Sequence, residues 1–328
     1  MAEFFQTIPG ALILLIVGFV FLIKGADFFV EGASAVAKKL HVPALVIGMT
    51  IVAMGTSLPE LSVSVTASMA GSNQLAIGNV VGSNIFNLMV VLGSCALFSV
   101  LEVSDDTIKK DFPFSVACVV ALIVMGIIGN SVGHLDGVIL IVAFIIFLLS
   151  MLKAAKKSRQ EAAMAAKDVE EEIEDIPVWL CIIYIIGGAV AIKFGGDWVV
   201  NSCTTLALKF GMSETLVGLT IVALGTSLPE LVTSIVAARK NELDMAIGNV
   251  VGSNIFNVLL ILGIAAAISP MNYLSVNAID AAILVAFSII VWLICVKKKR
   301  LERLNGVLML FLYVAYMVYI IVRDGGIA

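Results

Sequence analysis

The chain has 328 residues, of which 61% are hydrophobic and only 13% charged, about half the charged share of a soluble domain. That balance excludes a water-soluble globular protein, and a net charge of −4 leaves no basic footprint for nucleic acid. The length therefore reads as a series of membrane spans of about 20 apolar residues each.

The first apolar run, 8–30, follows Glu3 with no Lys or Arg before it. It lacks the basic start of a signal peptide and is read as the first span. The second, 43–68, carries Pro, Gly, Ser, Thr and Glu inside it. Runs at 75–100, 112–130 and 135–152 complete a first set. Residues 153–176 start basic and end acidic, which reads as a solvated linker, with a regulatory tract as the alternative. A second set follows at 177–200, 213–237, 245–268, 276–296 and 304–322. The expectation is an all-α polytopic membrane protein with ten transmembrane helices, divided into 1–152, 153–176 and 177–328.

Loop charge tests the count, because cytoplasmic loops retain Lys and Arg. With the N-terminus outside, the inside loops hold Lys38, Lys39, Lys109, Lys110, Lys153, Lys156, Lys157, Arg159, Lys167, Arg239, Lys240, Lys297, Lys298, Lys299, Arg300 and Arg303. The outside loops hold only Lys209 and Arg323, while Lys24 and Lys193 fall within spans. The alternation holds at every loop and places both termini outside.

Self-comparison then reveals a duplication. TIVAMGTSLPEL at 50–61 recurs as TIVALGTSLPEL at 220–231, and AIGNVVGSNIFN at 76–87 is identical to 246–257. Both matches have an offset of 170 residues, and Asp27 and Asp197 share it. Five spans per half is an odd number, so the second copy enters the membrane from the opposite side. Two inverted-topology five-helix repeats bring their motifs together near the midplane, as in many secondary transporters.

In GTSLPE, Pro59 withholds the N–H that the Gly55 carbonyl would use, and Pro229 does the same to Gly225. Discontinuous second and seventh helices are expected, with carbonyls freed for water or an ion. Helical spacing turns Thr56, Ser57 and Glu60 to one face, as it does Thr226, Ser227 and Glu230. A carboxylate, two hydroxyls and free carbonyls form an oxygen donor set for a hard cation such as calcium, sodium or magnesium. A carboxylate at mid-span costs roughly 2.5–3.5 kcal/mol, and neither motif contains a basic partner for Glu60 or Glu230. In GNVVGSNIFN, Asn79, Ser83 and Asn87 make a polar stripe, repeated by Asn249, Ser253 and Asn257. Ligation is favoured for Ser83, Asn87, Ser253 and Asn257, while packing and ligation stay open for Asn79 and Asn249. Gly78 with Gly82, and Gly248 with Gly252, have the GxxxG spacing of close helix packing.

Other residues read more plainly. Cys95, Cys118, Cys181, Cys203 and Cys295 sit in apolar stretches with no metal-ligand spacing and are expected to pack. Asp27 and Asp197 are expected to pair locally with Lys24 and Lys193. His41 and His134 fall at span ends.

At the two motifs the sequence resembles the cation/calcium exchanger superfamily, and most of all its prokaryotic sodium/calcium exchanger branch. The resemblance spans essentially the whole chain. It implies that calcium lies between Glu60 and Glu230 with help from Thr56 and Thr226. It implies sodium sites drawn from Ala53, Thr56, Ser57, Glu60, Ser83 and Asn87, with Ala223, Thr226, Ser227, Glu230, Ser253 and Asn257. Some members carry Asp at one of the positions occupied here by Asn87 and Asn257, so this chain has no third carboxylate there. The linker is also short beside the regulatory domain of animal relatives.

The expected function is a secondary antiporter exchanging calcium for sodium in the cell membrane. Its partners are the bilayer and inorganic cations, and it uses no cofactor beyond the transported ions. A proton-coupled or potassium-dependent calcium exchanger is the alternative, and a cation channel the rival of another class. No Walker loop, His/Cys cluster or nucleophile–base pair points to an enzyme or an ATP-driven pump.

Overall fold

Helix α1 spans Ile8–Leu40, running well past the apolar stretch that predicts it. It belongs to a computed structural model that describes residues 2–165, 177–212 and 223–323. In chain order follow α2 (Ala44–Thr56), α3 (Leu58–Met69), α4 (Asn73–Phe98), α5 (Thr107–Gly129) and α6 (His134–Ala165). The second half has α7 (Val178–Lys209), a helical turn at Ala223–Gly225, α8 (Leu228–Arg239), α9 (Leu243–Ile268), α10 (Ser275–Lys298) and α11 (Arg303–Arg323).

Eight of these helices are long and apolar enough to cross a membrane, and α2 with α3 makes a ninth span bent by 50° at Ser57. The seventh expected span enters the described residues only at Ala223, its first half (213–222) lying outside them. Helix α6 continues to Ala165, over the start of the expected linker, while 166–176 lie outside the described residues.

The two halves repeat each other down to their turns. Backbone in the left-handed region closes α1 at His41 (φ 51°) and recurs at Gly211 (φ 87°), 170 residues on. Gly71 (φ 74°) and Asn241 (φ 63°) repeat it after α3 and α8. Gly and Asn tolerate this conformation with least strain.

Loop contacts agree with the alternation read from charge. Strand β1 (Leu101–Glu102) pairs antiparallel with β4 (Arg300–Leu301), joining two loops expected on the basic face. Strand β2 (Ser131–Val132) pairs with β3 (Met271–Asn272), joining two expected on the other. Asn73 also donates to the Pro270 carbonyl at 2.9 Å on that second face.

The motif helices sit at the centre. The most apolar windows of α4 and α9 are 78% buried, against 22–28% for the other long helices. Because lipid is as apolar as a helix surface, close packing of small residues does much of the joining. A Cβ on Gly248 would lie 2.6 Å from the Leu45 carbonyl oxygen, and one on Gly252 would lie 2.6 Å from Met49 Cα, so α9 crosses α2 backbone to backbone. A Cβ added to Gly78 or Gly82 would meet nothing within 4 Å among the described residues.

Helices α1 and α7 form a separate antiparallel pair. Added Cβ atoms on Gly18, Gly25 and Gly32 would meet Gly195, Gly188 and Cys181 carbonyl oxygens at 2.9–3.0 Å. Glycine every seventh residue lets the two backbones approach closely, with Val199, Ala191 and Tyr184 of α7 seated against the glycines of α1. Aromatic contacts flank it, Phe21 on Trp198 (5.0 Å) and Phe28 on Tyr184 (5.2 Å).

Candidate cation site

The bend at Ser57 positions the first motif. Pro59 stands in the first turn of α3, and Ser57 (φ −85°, ψ 11°) is the joint. Glu60 lies in the opening turn of α3, where the positive end of the helix dipole favours a carboxylate. Pro229 and Ser227 repeat this before Glu230 in α8.

The halves are cross-bonded as pseudo-symmetric pairs. Ser227 donates to Glu60 Oε1 at 3.0 Å, and Ser57 donates to Glu230 Oε1 at 2.8 Å. Thr56 Oγ1 lies 3.1 Å from Asn249 Oδ1, and Thr226 Oγ1 lies 3.4 Å from Asn79 Oδ1. Each motif thus supports the carboxylate and threonine of the other, and only the inverted arrangement permits that.

Glu60, Glu230, Thr56, Ser57, Ser227, Ser83, Ser253, Asn87 and Asn257 are all buried, and Ala53 with them; Thr226 is partly exposed. Ser83 lies 3.4 Å from Glu60 Oε1 and 3.0 Å from Ser227 Oγ. Glu60 Oε2, Glu230 Oε2, Ser253 Oγ, Asn257 Oδ1 and both amide atoms of Asn87 have no hydrogen-bond partner among the described residues. No Lys or Arg among them pairs with either glutamate. Buried polar atoms without partners are costly, and a pair of buried carboxylates most of all. A cation at this place would supply the missing contacts and compensate the charge.

The backbone contributes as well. Thr56 Oγ1 reaches the Val52 carbonyl (3.1 Å) and the Ala53 carbonyl (3.3 Å), and the Ser57 N–H also bonds Ala53 (3.1 Å). In the second half the Ser227 N–H turns to Leu224 (3.3 Å), so the Ala223 carbonyl is not held the same way. Wide π-helical turns run through Gly48–Val52, Asn87–Val91 and Asn257–Ile261. Asn87 and Asn257 each open one, a feature common at functional sites.

Asn79 and Asn249, for which packing and ligation are both open from sequence, each brace a neighbouring helix: Asn79 donates to Ser64 and Asn249 to Ser234, both at 2.9 Å. Asn84 and Asn254, outside the expected site, cross the pseudo-two-fold axis reciprocally, each donating to the other's carbonyl at 3.1 and 3.2 Å. Asn257 donates to Asn84 Oδ1 at 3.0 Å, whereas Asn87 has no such bond. Their presence in the duplicated string was the available signal, but they lie one residue off the polar stripe.

The lysine–aspartate expectation holds in both halves, but unequally. Lys193 binds Asp197 at 2.6 Å, whereas Lys24 pairs with Asp27 only at 4.0 Å, and Asp27 is bonded more closely to Lys240 at 2.7 Å. Cys95, Cys118, Cys181 and Cys295 are buried packing residues and Cys203 is half-buried. His41 caps α1, and His134 opens α6 with its ring against the Ala267 carbonyl.

A cleft of about 260 Å³, lined by residues including Pro59, Ser62, Asp197, Asn201 and Thr226, reaches the second motif from beside α7.

Broken spans meeting between inverted halves, around two uncompensated carboxylates, define a secondary transporter of cations rather than an enzyme. The chain belongs to the sodium/calcium exchanger family: the model described as "Sodium/calcium exchanger protein" matches residues 10–153 and again 180–322. It is 36% identical to CaxA of Alkalimonas amylolytica, over 93% of this chain and 97% of that one. It is 34% identical to the inner membrane protein YrbG of Escherichia coli K12, over 87% and 89%. Among solved structures it resembles the sodium-calcium exchanger NCX_Mj with a TM-score of 0.83 at 30% identity, covering 95% of this chain and 99% of that one.

Proposed function

We propose that this chain exchanges calcium for sodium across the cell membrane by alternating access. The observation that carries the reading is the pair Glu60 and Glu230, each buried, each with an unpartnered oxygen, and ringed by hydroxyl and amide oxygens from both halves. Two carboxylates supply a charge of −2. Calcium, with its preference for several oxygen ligands including carboxylates, would be held by Glu60, Glu230, Thr56 and Thr226. Sodium would use the same glutamates and threonines together with Ser57, Ser83, Asn87, Ser227, Ser253, Asn257 and the Ala53 and Ala223 carbonyls. Shared oxygens make occupancy by the two ions exclusive, and exclusion makes exchange obligatory.

Calcium neutralises the site, and so would two sodium ions. With Asn at both 87 and 257 there is no third carboxylate, so a third sodium would leave the loaded site with one net positive charge. The alternating motion is assigned, as the family resemblance implies, to the α1–α7 pair, which its glycine seam holds together as one unit and which would move against the core to expose the site to each side in turn. The halves 1–152 and 177–328, joined by 153–176, are taken as the two repeats. The basic loops support a cytoplasmic assignment for their face, with both termini on the outside; YrbG's name as an inner membrane protein supports the same membrane. NCX_Mj, whose crystals were soaked with sodium, strontium or calcium, supports the ion pair.

The test is labelled calcium uptake into sealed, sodium-loaded vesicles containing purified protein. Uptake should collapse when the sodium gradient is removed. Calcium movement that is equal without sodium, and unchanged in Glu60→Gln, would overturn the reading.

A further inference from the structure

The duplication allows each face of the transporter to be compared with the other, position by position, at an offset of 170. Along the last turns of α1, Asp27, Glu31, Ser34 and Lys38 are spaced four, three and four apart, so they form one stripe. The loop between α8 and α9 lies against it. Lys240 Nζ reaches Asp27 Oδ1 at 2.7 Å, the Asp27 carbonyl at 3.2 Å and Glu31 Oε2 at 3.4 Å. Two residues further, Glu242 accepts a short hydrogen bond from Ser34 and pairs with Lys38 at 3.8 Å. The loop offers plus then minus, and the helix answers with minus, minus, hydroxyl, plus.

The counterparts in the other half carry none of this. Asp197, Asn201, Thr204 and Leu208 stand along α7, and Ala70 and Ser72 stand where the loop has Lys240 and Glu242. Without a cation in that loop, Asp197 turns to Lys193 on its own helix. It lines the open cleft instead of a clamped joint, with Asn201 and Ser62 beside it. Ser62 is exposed there, while its counterpart Val232 is half-buried. Partial burial pulls the Lys240 ammonium down, but the bonds and charges of Asp27 and Glu31 outweigh it and hold its pKa above the usual range.

We propose that Lys240 and Glu242 form a one-sided electrostatic latch, which holds the basic-loop end of α1 against the α8–α9 loop and biases the transporter toward the state open on the opposite face. The latch rests on the alternating-access reading above but not on the identity of the ions. Its members are partly exposed, so breaking it should shift the ratio of the two states by roughly threefold to tenfold.

The test places one reporter cysteine at a time, Val232→Cys or Ser62→Cys, in a Cys203→Ala background and in sealed vesicles. A membrane-impermeant maleimide is added to one face only. With Lys240→Gln, labelling of Val232→Cys from the basic-loop face should rise three- to tenfold, while labelling of Ser62→Cys from the other face falls. Glu242→Gln should act in the same direction, and Lys240→Arg should not. Unchanged labelling of Val232→Cys overturns the latch, and so does a rise at both reporters, which would mean a loosened fold. Sodium-coupled calcium flux measured on the same vesicles reports the exchange reading separately, so either can fail alone.

Discussion

Replacing Glu60 with glutamine removes one charge and almost no volume. The new amide oxygen can still accept from Ser227, now 3.0 Å from Oε1, and from Ser83 at 3.4 Å. The NH2 group then takes the place of Oε2, an oxygen with no partner among the described residues. A lone pair available to a cation becomes a donor that repels it. At an effective dielectric near 20, unit charges about 4 Å apart interact by roughly 4 kcal/mol, and a divalent ion doubles the term. Desolvation of the carboxylate offsets part of this, and removing one partner of a buried charge pair costs about 3–5 kcal/mol net. Calcium affinity should therefore fall by roughly two to three and a half orders of magnitude. The ion-free protein should lose no stability, because a buried charge has gone while the Ser227 bond can remain. A thermal melt with and without calcium, beside calcium flux, measures both quantities. Calcium-dependent stabilisation within about fivefold of the parent affinity would refute the assignment of Glu60 to the ion.

Three further outcomes follow from the geometry. Ser227→Ala removes a hydroxyl that bonds a carboxylate, an interaction worth roughly 1.5–3 kcal/mol; the sodium concentration for half-maximal exchange should rise about tenfold, and an unchanged sodium dependence would exclude Ser227 as a ligand. Gly252→Ala drives a Cβ to 2.6 Å from Met49 Cα, and overpacking of roughly 1–3 kcal/mol should lower the melting temperature with no new ion dependence. At the β1–β4 junction, hydrogen bonds from Lys299 and Lys109 hold the Asp105 carboxyl below its ordinary range, and those from Lys298, with the charges of Lys298 and Arg300, do so for Glu302. Depressed carboxylates stabilise the fold above their unfolded pKa near 4 and cease to do so as pH falls through the folded values. The Asp105→Asn, Glu302→Gln variant should therefore show a smaller loss of melting temperature between about pH 5 and about pH 3.

Much of this fold was legible because the membrane enforces simple rules. Apolar length marks spans, Lys and Arg mark one face, and an odd number of spans per half inverts a duplicate. Those rules alone bring Glu60 and Glu230 together. Pro59 and Pro229 marked the breaks for a covalent reason, the missing N–H. What stayed hidden depends on partners far apart in sequence. Nothing local says that Asp27 will bind Lys240, 213 residues away, rather than Lys24, three residues away. The π-helical turns opening at Asn87 and Asn257 left no spacing signature, since the polar stripe runs at ordinary helical period up to them. The identical strings at 76–87 and 246–257 also concealed a difference, for Asn257 bonds Asn84 while Asn87 bonds nothing described. Identical residues in inverted halves need not meet identical neighbours.

The sharpest measurement imposes sodium, potassium and proton gradients one at a time on proteoliposomes of the purified protein and follows labelled calcium in each. Calcium–sodium exchange at Glu60 and Glu230 predicts uphill calcium movement with the sodium gradient alone, abolished in Glu60→Gln. Calcium driven by the proton gradient or by potassium alone, with sodium inert, would contradict it.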